Sequence, residues 1–321
     1  KDKFNRVIGS YKNGAYDTLP VAGKSLELTI DDDLQSYGEI LMQCKRGSIV
    51  AIEPKSGEIL ALVSAPSYDP NLLVGRKRSQ NYTLLYNDSI AKPLFDRALL
   101  AEYPPGSTFK PFTALLGLQE GVMTPQSVVS CNGGYHYGNR VMKCHAHASP
   151  LDMLHAIATS CNAYFAHEYR KIIEKYPTPA QGITAWGNDL RSFGFGEYLG
   201  SDFPIGRKGY IPDAAFYNRH YGENGWRATT NISNGIGQGE VLVTPLQLAN
   251  ALSAIANKGD YYTPHIVRKI DGKTTPFTQY TEVKHTRVAP QYFDPIIKGM
   301  NLSYTGGTSR GTQIDSVNVA A

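Results

Sequence analysis

The chain has 321 residues, a formal net charge of +4, 41% hydrophobic residues and 19% charged residues. The length suits about two domains and the apolar fraction supports a sizeable core, while the charge content excludes a long solvated coiled coil and the mild basicity lacks the Lys/Arg density of nucleic-acid binders. No stretch approaches the ~18 consecutive apolar residues that cross a bilayer.

Residues 1–25 are polar and aperiodic, with turn signals at Asn13-Gly14 and Gly23. Both chain ends look like cut edges, so this stretch reads as a linker or the tail of an N-terminal pedestal domain. Residues 26–30 alternate apolar and polar as a short strand. Asp31, Asp32 and Asp33 then cap a helix running to about Gln43, with Leu34, Tyr37, Ile40 and Leu41 as its apolar stripe. Residues 47–52 and 58–63 are β-branched runs flanking Pro54-Lys55-Ser56-Gly57, a hairpin signal. Residues 66–106 read as loop.

Helices are expected over residues 107–120, 151–159, 163–175, 245–258 and 290–302, and a strand over 264–270. Pro177 and Pro179 are expected to stop the third helix. The fourth has Thr244 as its cap, Pro245 at its first position and Gly259 beyond its end, and its apolar interior marks it as buried. Early antiparallel strands followed by a helical middle predict an α+β fold with no repeating βαβ unit.

Chemistry concentrates in Pro104-Pro105-Gly106-Ser107-Thr108-Phe109-Lys110. A rigid turn delivers Ser107 to a helix start, and Lys110, three residues on, rises on the same face. A serine hydroxyl is a weak nucleophile until a base takes its proton, and a desolvated lysine is such a base. The bland reading of Ser107 is a simple N-cap. A second S-x-x-K, Ser89 to Lys92, lacks the turn and is followed by Pro93. Ser160-Cys161-Asn162 is a second signal, held between two helices, and its bland reading is a pair of caps. The same pattern recurs at Ser130-Cys131-Asn132, which reads as loop, and at Ser316-Val317-Asn318, before a polar strand at the chain end. Gly235-Ile236-Gly237-Gln238-Gly239 precedes a strand instead of following one, so it is a tight bend against a buried helix and not a dinucleotide fingerprint.

Together, Leu28-Thr29-Ile30-Asp31, the 47–64 hairpin, Pro66-Ser67-Tyr68-Asp69-Pro70-Asn71, Phe95-Asp96-Arg97-Ala98, Ser107 to Lys110 and Gly235 to Ala251 resemble the transpeptidase domain of class B penicillin-binding proteins. Within that family the chain is most similar to the elongation type, penicillin-binding protein two. The resemblance implies a penicillin-recognising serine transpeptidase fold, a mainly antiparallel sheet flanked by helices plus an all-helical subdomain. Residues 26–321 would be that domain. The implied activity is peptidoglycan D,D-transpeptidation through an acyl-enzyme, inhibited by β-lactams. Ser107 is then the nucleophile and Lys110 its base, Ser160 relays a proton to the leaving amine, and Asn162 holds the substrate amide. The implied partners are peptidoglycan stem peptides, a membrane glycosyltransferase and the elongation machinery, with no nucleic acid and no catalytic cofactor. The implied location is the periplasmic face of the bacterial inner membrane, anchored by an N-terminal helix that this chain does not contain.

One departure stands out. The family's Lys-Thr-Gly motif is missing, since Thr305-Gly306 follows Tyr304, and Lys273-Thr274 is followed by Thr275. The family motif follows a segment like Val317 to Ala321, so the domain reads as truncated before its last strands, and the polypeptide taken literally is expected to be weak or inactive. The rival readings are a β-lactamase or β-lactam sensor, and a non-catalytic scaffold of the same fold.

Cys131, Cys144 and Cys161 accompany His145 and His147 in one stretch. A structural zinc site of three cysteines and one histidine needs four such ligands, with His147 the preferred histidine and His145 the reserve. A Cys131–Cys144 disulfide and free thiols are the other readings.

Overall fold

The computed structural model describes residues 3–4, 6, 9–16, 18, 21–274 and 277–321. The reading of residues 1–25 as a linker falls partly outside these; its described part makes a 3-10 turn at Tyr11–Gly14. Thr275, named in the search for Lys-Thr-Gly, also lies outside them.

Strand β1 (Leu26–Leu28) leads into α1 (Asp32–Leu41), capped by the Asp31 carboxylate, which accepts from Leu34 N–H. The expected apolar stripe of α1 faces outward: Leu34, Tyr37, Ile40 and Leu41 are all exposed. Gly38 is the buried residue, because α1 presses so closely on the following hairpin that a Cβ there would come 2.9 Å from Val63 Cγ2. The hairpin is β2 (Gly47–Ile52) with β3 (Ile59–Ala65), and Gly57 in its turn takes φ +77°. On β3 the side chains of Ile59, Ala61, Val63 and Ala65 point into the core, the period-2 pattern of a strand with one buried face.

Residues 66–106 hold more structure than expected. Helix α2 (Arg78–Asn87) buries none of its residues, so no periodicity announces it. Helix α3 (Arg97–Leu100) is capped by Asp96. A 3-10 turn, Gly106–Phe109, precedes α4 (Lys110–Gln119), in which Lys110 to Leu118 are all buried. The small hairpin β4 (Gly134–Tyr137) with β5 (Arg140–Lys143) follows, then α5 (Met153–Ala158) and α6 (Asn162–Glu174). Helix α6 stops ahead of Pro177 and Pro179 as expected, and Pro179 also opens the next helix. Helix α7 (Pro179–Arg191) carries proline at its first turn, where no N–H is needed, behind a Thr178–Gln181 capping box. Helix α8 (Ala214–Tyr221) was not anticipated.

After the glycine-rich bend the expected strand is reduced to single bridges, Tyr210 with Leu242 and Tyr103 with Val243. Helix α9 (Pro245–Ala256) has its Thr244–Gln247 capping box. Short strands β6 (Asp260–Tyr261), β7 (Val267–Ile270), β8 (Lys273–Thr274) and β9 (Lys284–His285) precede α10 (Phe293–Gly306). No strand forms after Asn318.

Strands β1, β7 and β8 form one antiparallel sheet, and β2 pairs with β3 in another. Ile59 N–H to His265 O (2.9 Å) and Thr29 N–H to Ile266 O (2.8 Å) join the two. The larger core belongs to the helices. Phe112 on α4 meets Phe195 and Phe193 edge-on at ring separations of 5.0 and 5.4 Å. A smaller cluster of Ile59, Leu99 and Leu246 lies under the strands. The fold is therefore α+β, a helical subdomain beside antiparallel strands.

Candidate active site

Pro104-Pro105-Gly106 turns the chain so that Ser107 lies in the 3-10 turn just before α4, one step outside the first α-turn the spacing suggested. Gly106 takes φ +62°. The turn is held from the glycine-rich bend: Tyr103 N–H donates to Val243 O at 2.9 Å, and Gly106 N–H donates to Gly237 O at 2.7 Å. Gly237 has φ +68°, and a Cβ on it would lie 2.3 Å from Gly106 O and 2.5 Å from Phe109 Cβ. The sequence marks this bend but not that it presses on the serine turn.

Lys110 opens α4 and is 2% exposed. Its Nζ donates to Ser160 O (2.6 Å), Ser160 Oγ (2.8 Å) and Asn162 Oδ1 (2.7 Å). All three acceptors are neutral oxygens. Burial lowers its pKa to about 8, against the opposing pull of negative charge at Cys144 and Cys161.

Ser160 sits between α5 and α6 with φ +54°, a left-handed conformation rare outside glycine and asparagine. Helix α5 ends there as Ser160 N–H donates to Ile157 O and Cys161 N–H to Ala156 O. Cys161 then caps α6, its Sγ accepting from Tyr164 N–H. This abrupt reversal aims Ser160 Oγ and Asn162 Oδ1 back at Lys110. The Asn162 amide is oriented by a second bond, Nδ2 to Lys143 O at 2.9 Å.

A cleft of about 680 Å³ opens over these groups, lined by Ser107, Lys110 and Ser160 and, from α10, by Ile297, Met300 and Ser303. Reading α10 as a helix did not reveal that it lines the site; only its packing against α5 does. The remaining copies of the patterns lie elsewhere. Ser89 to Lys92 is a surface turn, Ser130 to Asn132 leads into β4, and Ser316 to Asn318 is exposed near the chain end. A fourth S-x-N, Ser79-Gln80-Asn81, lies on the surface helix α2, and of the four the structure brings only Ser160-Cys161-Asn162 to Lys110.

Behind it, the Sγ atoms of Cys131, Cys144 and Cys161 and a ring nitrogen of His147 all lie within 4.8 Å of one another. His147 Nε2 faces Cys144 Sγ at 3.3 Å and its Nδ1 faces Ala148 O at 2.7 Å. His145 stacks edge-on against His147 from outside. All four cysteines are unpaired, so the Cys131–Cys144 disulfide is not formed. Cys144 is held below the ordinary thiol range: burial opposes this, but donation from Asn162 N–H and contact with His147 outweigh it. Cys131 and Cys161 are pushed up, mainly by burial.

The fold and the serine–lysine cleft define a class, the transpeptidase domains of penicillin-binding proteins. The chain belongs to that family, matching it over residues 47–321. Among its relatives, peptidoglycan D,D-transpeptidase MrdA of Acinetobacter baumannii is 37% identical over 264 residues, 81% of this chain and 37% of that protein. The chain thus spans about two fifths of that relative's length. Among solved structures, Pseudomonas aeruginosa PBP2 in complex with WCK 5153 superposes with a TM-score of 0.79 at 35% identity, over 91% of this chain and 65% of that one. The complex of PBP2 and MreC from Helicobacter pylori gives 0.78 at 26% identity, over 92% of this chain and 52% of the other.

Proposed function

We propose that residues 26–321 form the transpeptidase domain of an elongation-type peptidoglycan D,D-transpeptidase, with residues 1–25 as a linker. The observation that carries this reading is Lys110, a buried amine with a lowered pKa, bonded to the Ser160–Asn162 motif and lining one cleft with Ser107. Ser107 Oγ attacks the carbonyl of the penultimate D-Ala of a stem peptide, and Lys110 takes its proton. A lysine of pKa about 8 is partly neutral near neutral pH, so it both accepts that proton and returns it. The acyl C–N bond breaks, terminal D-Ala leaves, and Ser160 Oγ, 2.8 Å from Nζ, relays the proton to the departing amine. Asn162 holds the substrate amide. The amine of a neighbouring stem then displaces Ser107 and forms the cross-link. The positive end of α4 and the Ser107 N–H favour the developing oxyanion.

The family's Lys-Thr-Gly motif does not occur within these 321 residues. Intact-mass spectrometry after long exposure to millimolar β-lactam tests the reading. One adduct is expected on the wild type and none on Ser107→Ala. Equal labelling of both would refute Ser107 as nucleophile, and rapid release of the adduct would favour a β-lactamase.

The clustered thiols and His147 suit a structural zinc ion. The donor set is the three-cysteine, one-histidine type, and the Ala148 carbonyl already orients the ring so that Nε2 faces the thiols. Cys131, Cys144, His147 and Cys161 would hold the metal. It would supply bracing and no chemistry, since Cys161 lies inside the Ser160–Asn162 motif. No catalytic cofactor enters the reaction. The proposed setting is beside a glycosyltransferase and the elongation machinery, at the periplasmic face of the bacterial inner membrane; likeness to a PBP2 solved with MreC supports a partner of the MreC kind.

A further inference from the structure

The mechanism leaves unused a closed ring of polar groups behind the glycine-rich bend. Asn234 Nδ2 donates to Tyr217 OH at 2.8 Å, Tyr217 OH donates to Glu240 Oε2 at 2.7 Å, and Glu240 N–H donates back to Asn234 Oδ1 at 3.3 Å. Tyr217 and Asn234 are fully buried. Asn234 also lies near Tyr169 OH, at 3.5 Å, and that hydroxyl donates to Asn231 Oδ1. The ring ties residue 234 to residue 240 and so fixes both ends of the bend between them.

What the bend holds is the serine turn. Gly237 N–H donates to Asn234 O at 3.0 Å, and Gly237 O accepts from Gly106 N–H, the residue before Ser107. Thr113 Oγ1 on α4 donates to Gly235 O at 2.8 Å, tying the same bend to the helix that carries Lys110. The route from Glu240 to the nucleophile is therefore short: hydrogen bonds link Glu240, Tyr217, Asn234, Gly237 and Gly106, and Gly106 is joined to Ser107 by the chain itself. Tyr217 and Asn234 lie away from water, where hydrogen bonds are stiffer than in it.

We propose that Tyr217, Asn234 and Glu240 are positioning residues for Ser107, acting through Gly237 and Gly106 and not on the substrate. The inference deepens the transpeptidase reading and rests on it. Misplacement of a nucleophile by about 1 Å costs on the order of 100-fold in rate; loss of one bond from the ring is expected to relax the turn by less, lowering the acylation rate constant about tenfold.

The test measures β-lactam binding and the acylation step separately by stopped-time mass spectrometry. Tyr217→Phe and Glu240→Ala are each expected to slow acylation about tenfold while the noncovalent dissociation constant stays within twofold. Glu240→Gln keeps an acceptor for Tyr217 and should recover most of the rate. The double variant Tyr217→Phe/Glu240→Ala should be no slower than either single one, since both break one ring. A purely structural role predicts losses that follow the melting temperature and add together; that pattern, or wild-type rates in Tyr217→Phe, overturns the proposal. If neither wild type nor Ser107→Ala is acylated, the transpeptidase reading fails first. Amide hydrogen exchange at Gly106 then decides the link by itself. Exchange about tenfold faster in Tyr217→Phe supports it, and unchanged exchange refutes it.

Discussion

Replacing Lys110 with methionine is expected to disable the site and, at neutral pH, to stabilise the fold. Lys110 is 2% exposed and its ammonium faces three neutral oxygens, without the carboxylate that usually accompanies a buried charge. Burial lowers its pKa from 10.5 to about 8, so keeping it charged in the folded state below pH 8 costs on the order of 3 kcal/mol. Methionine removes that cost and fills similar volume. It also leaves the Ser160 carbonyl and Asn162 Oδ1 without their donor, at about 1 kcal/mol each. The net expectation at pH 7 is a gain of roughly 1 kcal/mol. The sign follows from linkage: the folded state binds this proton more weakly than the unfolded state. Wild-type stability therefore rises as pH climbs from about 8 to 10.5, and the variant's does not. The difference between the two should fall to zero near pH 9, by roughly 1.4 kcal/mol per pH unit, and reverse above it. Urea denaturation of both proteins at pH 7, 8, 9 and 10, followed by tryptophan fluorescence, reads this directly. A difference that stays flat from pH 8 to 10, or a methionine variant that is acylated normally, would refute the account of Lys110 as a strained, buried base.

Three further outcomes are expected. Gly237→Ala forces a Cβ to within 2.3 Å of Gly106 O at a φ of +68°, so it should destabilise by at least ~2 kcal/mol and slow acylation more than Tyr217→Phe; a stable, normally reactive variant would contradict the packing. Asp189, pushed up to about 6 by burial despite Arg287 at 3.2 Å, contributes stability below pH 4 that is lost as pH rises through 6. Asp189→Asn should therefore raise the urea midpoint at pH 7 and change it little at pH 4, and the opposite ordering would overturn this assignment. If Cys131, Cys144, His147 and Cys161 hold zinc, purified protein should contain about one equivalent by metal analysis, Cys161→Ser should lose it, and chelation should lower the melting temperature by several degrees.

Local features were legible in the residues because their physics is local. The Asp31 cap, the Gly57 turn, the Thr244 cap and the Pro104-Pro105-Gly106 bend each concern a few neighbouring atoms, and each lies where the sequence put it. The same reasoning placed the end of α6 ahead of Pro177 and Pro179 but missed the helix that Pro179 opens, because proline both ends and opens helices and the Thr178 box is what marks a start. It missed α2, which buries nothing and so leaves no periodic trace. On α1 the apolar stripe was present but pointed away from the core, since the helix approaches the hairpin through Gly38.

The residues alone supplied a serine and a lysine one turn apart, four S-x-N tripeptides and a scatter of cysteines and histidines. Which tripeptide meets the lysine, which histidine joins the thiols, and what the glycine-rich bend presses upon were settled by packing. The lysine and serine-turn contacts join positions 50 and 131 apart (Lys110 to Ser160, Gly106 to Gly237), and their distances depend on how α4, α5 and α6 are stacked around a shared aromatic core. Short-range backbone preferences carry no information about such separations, whereas the burial that lowers the lysine's proton affinity exists only once the helices have closed over it.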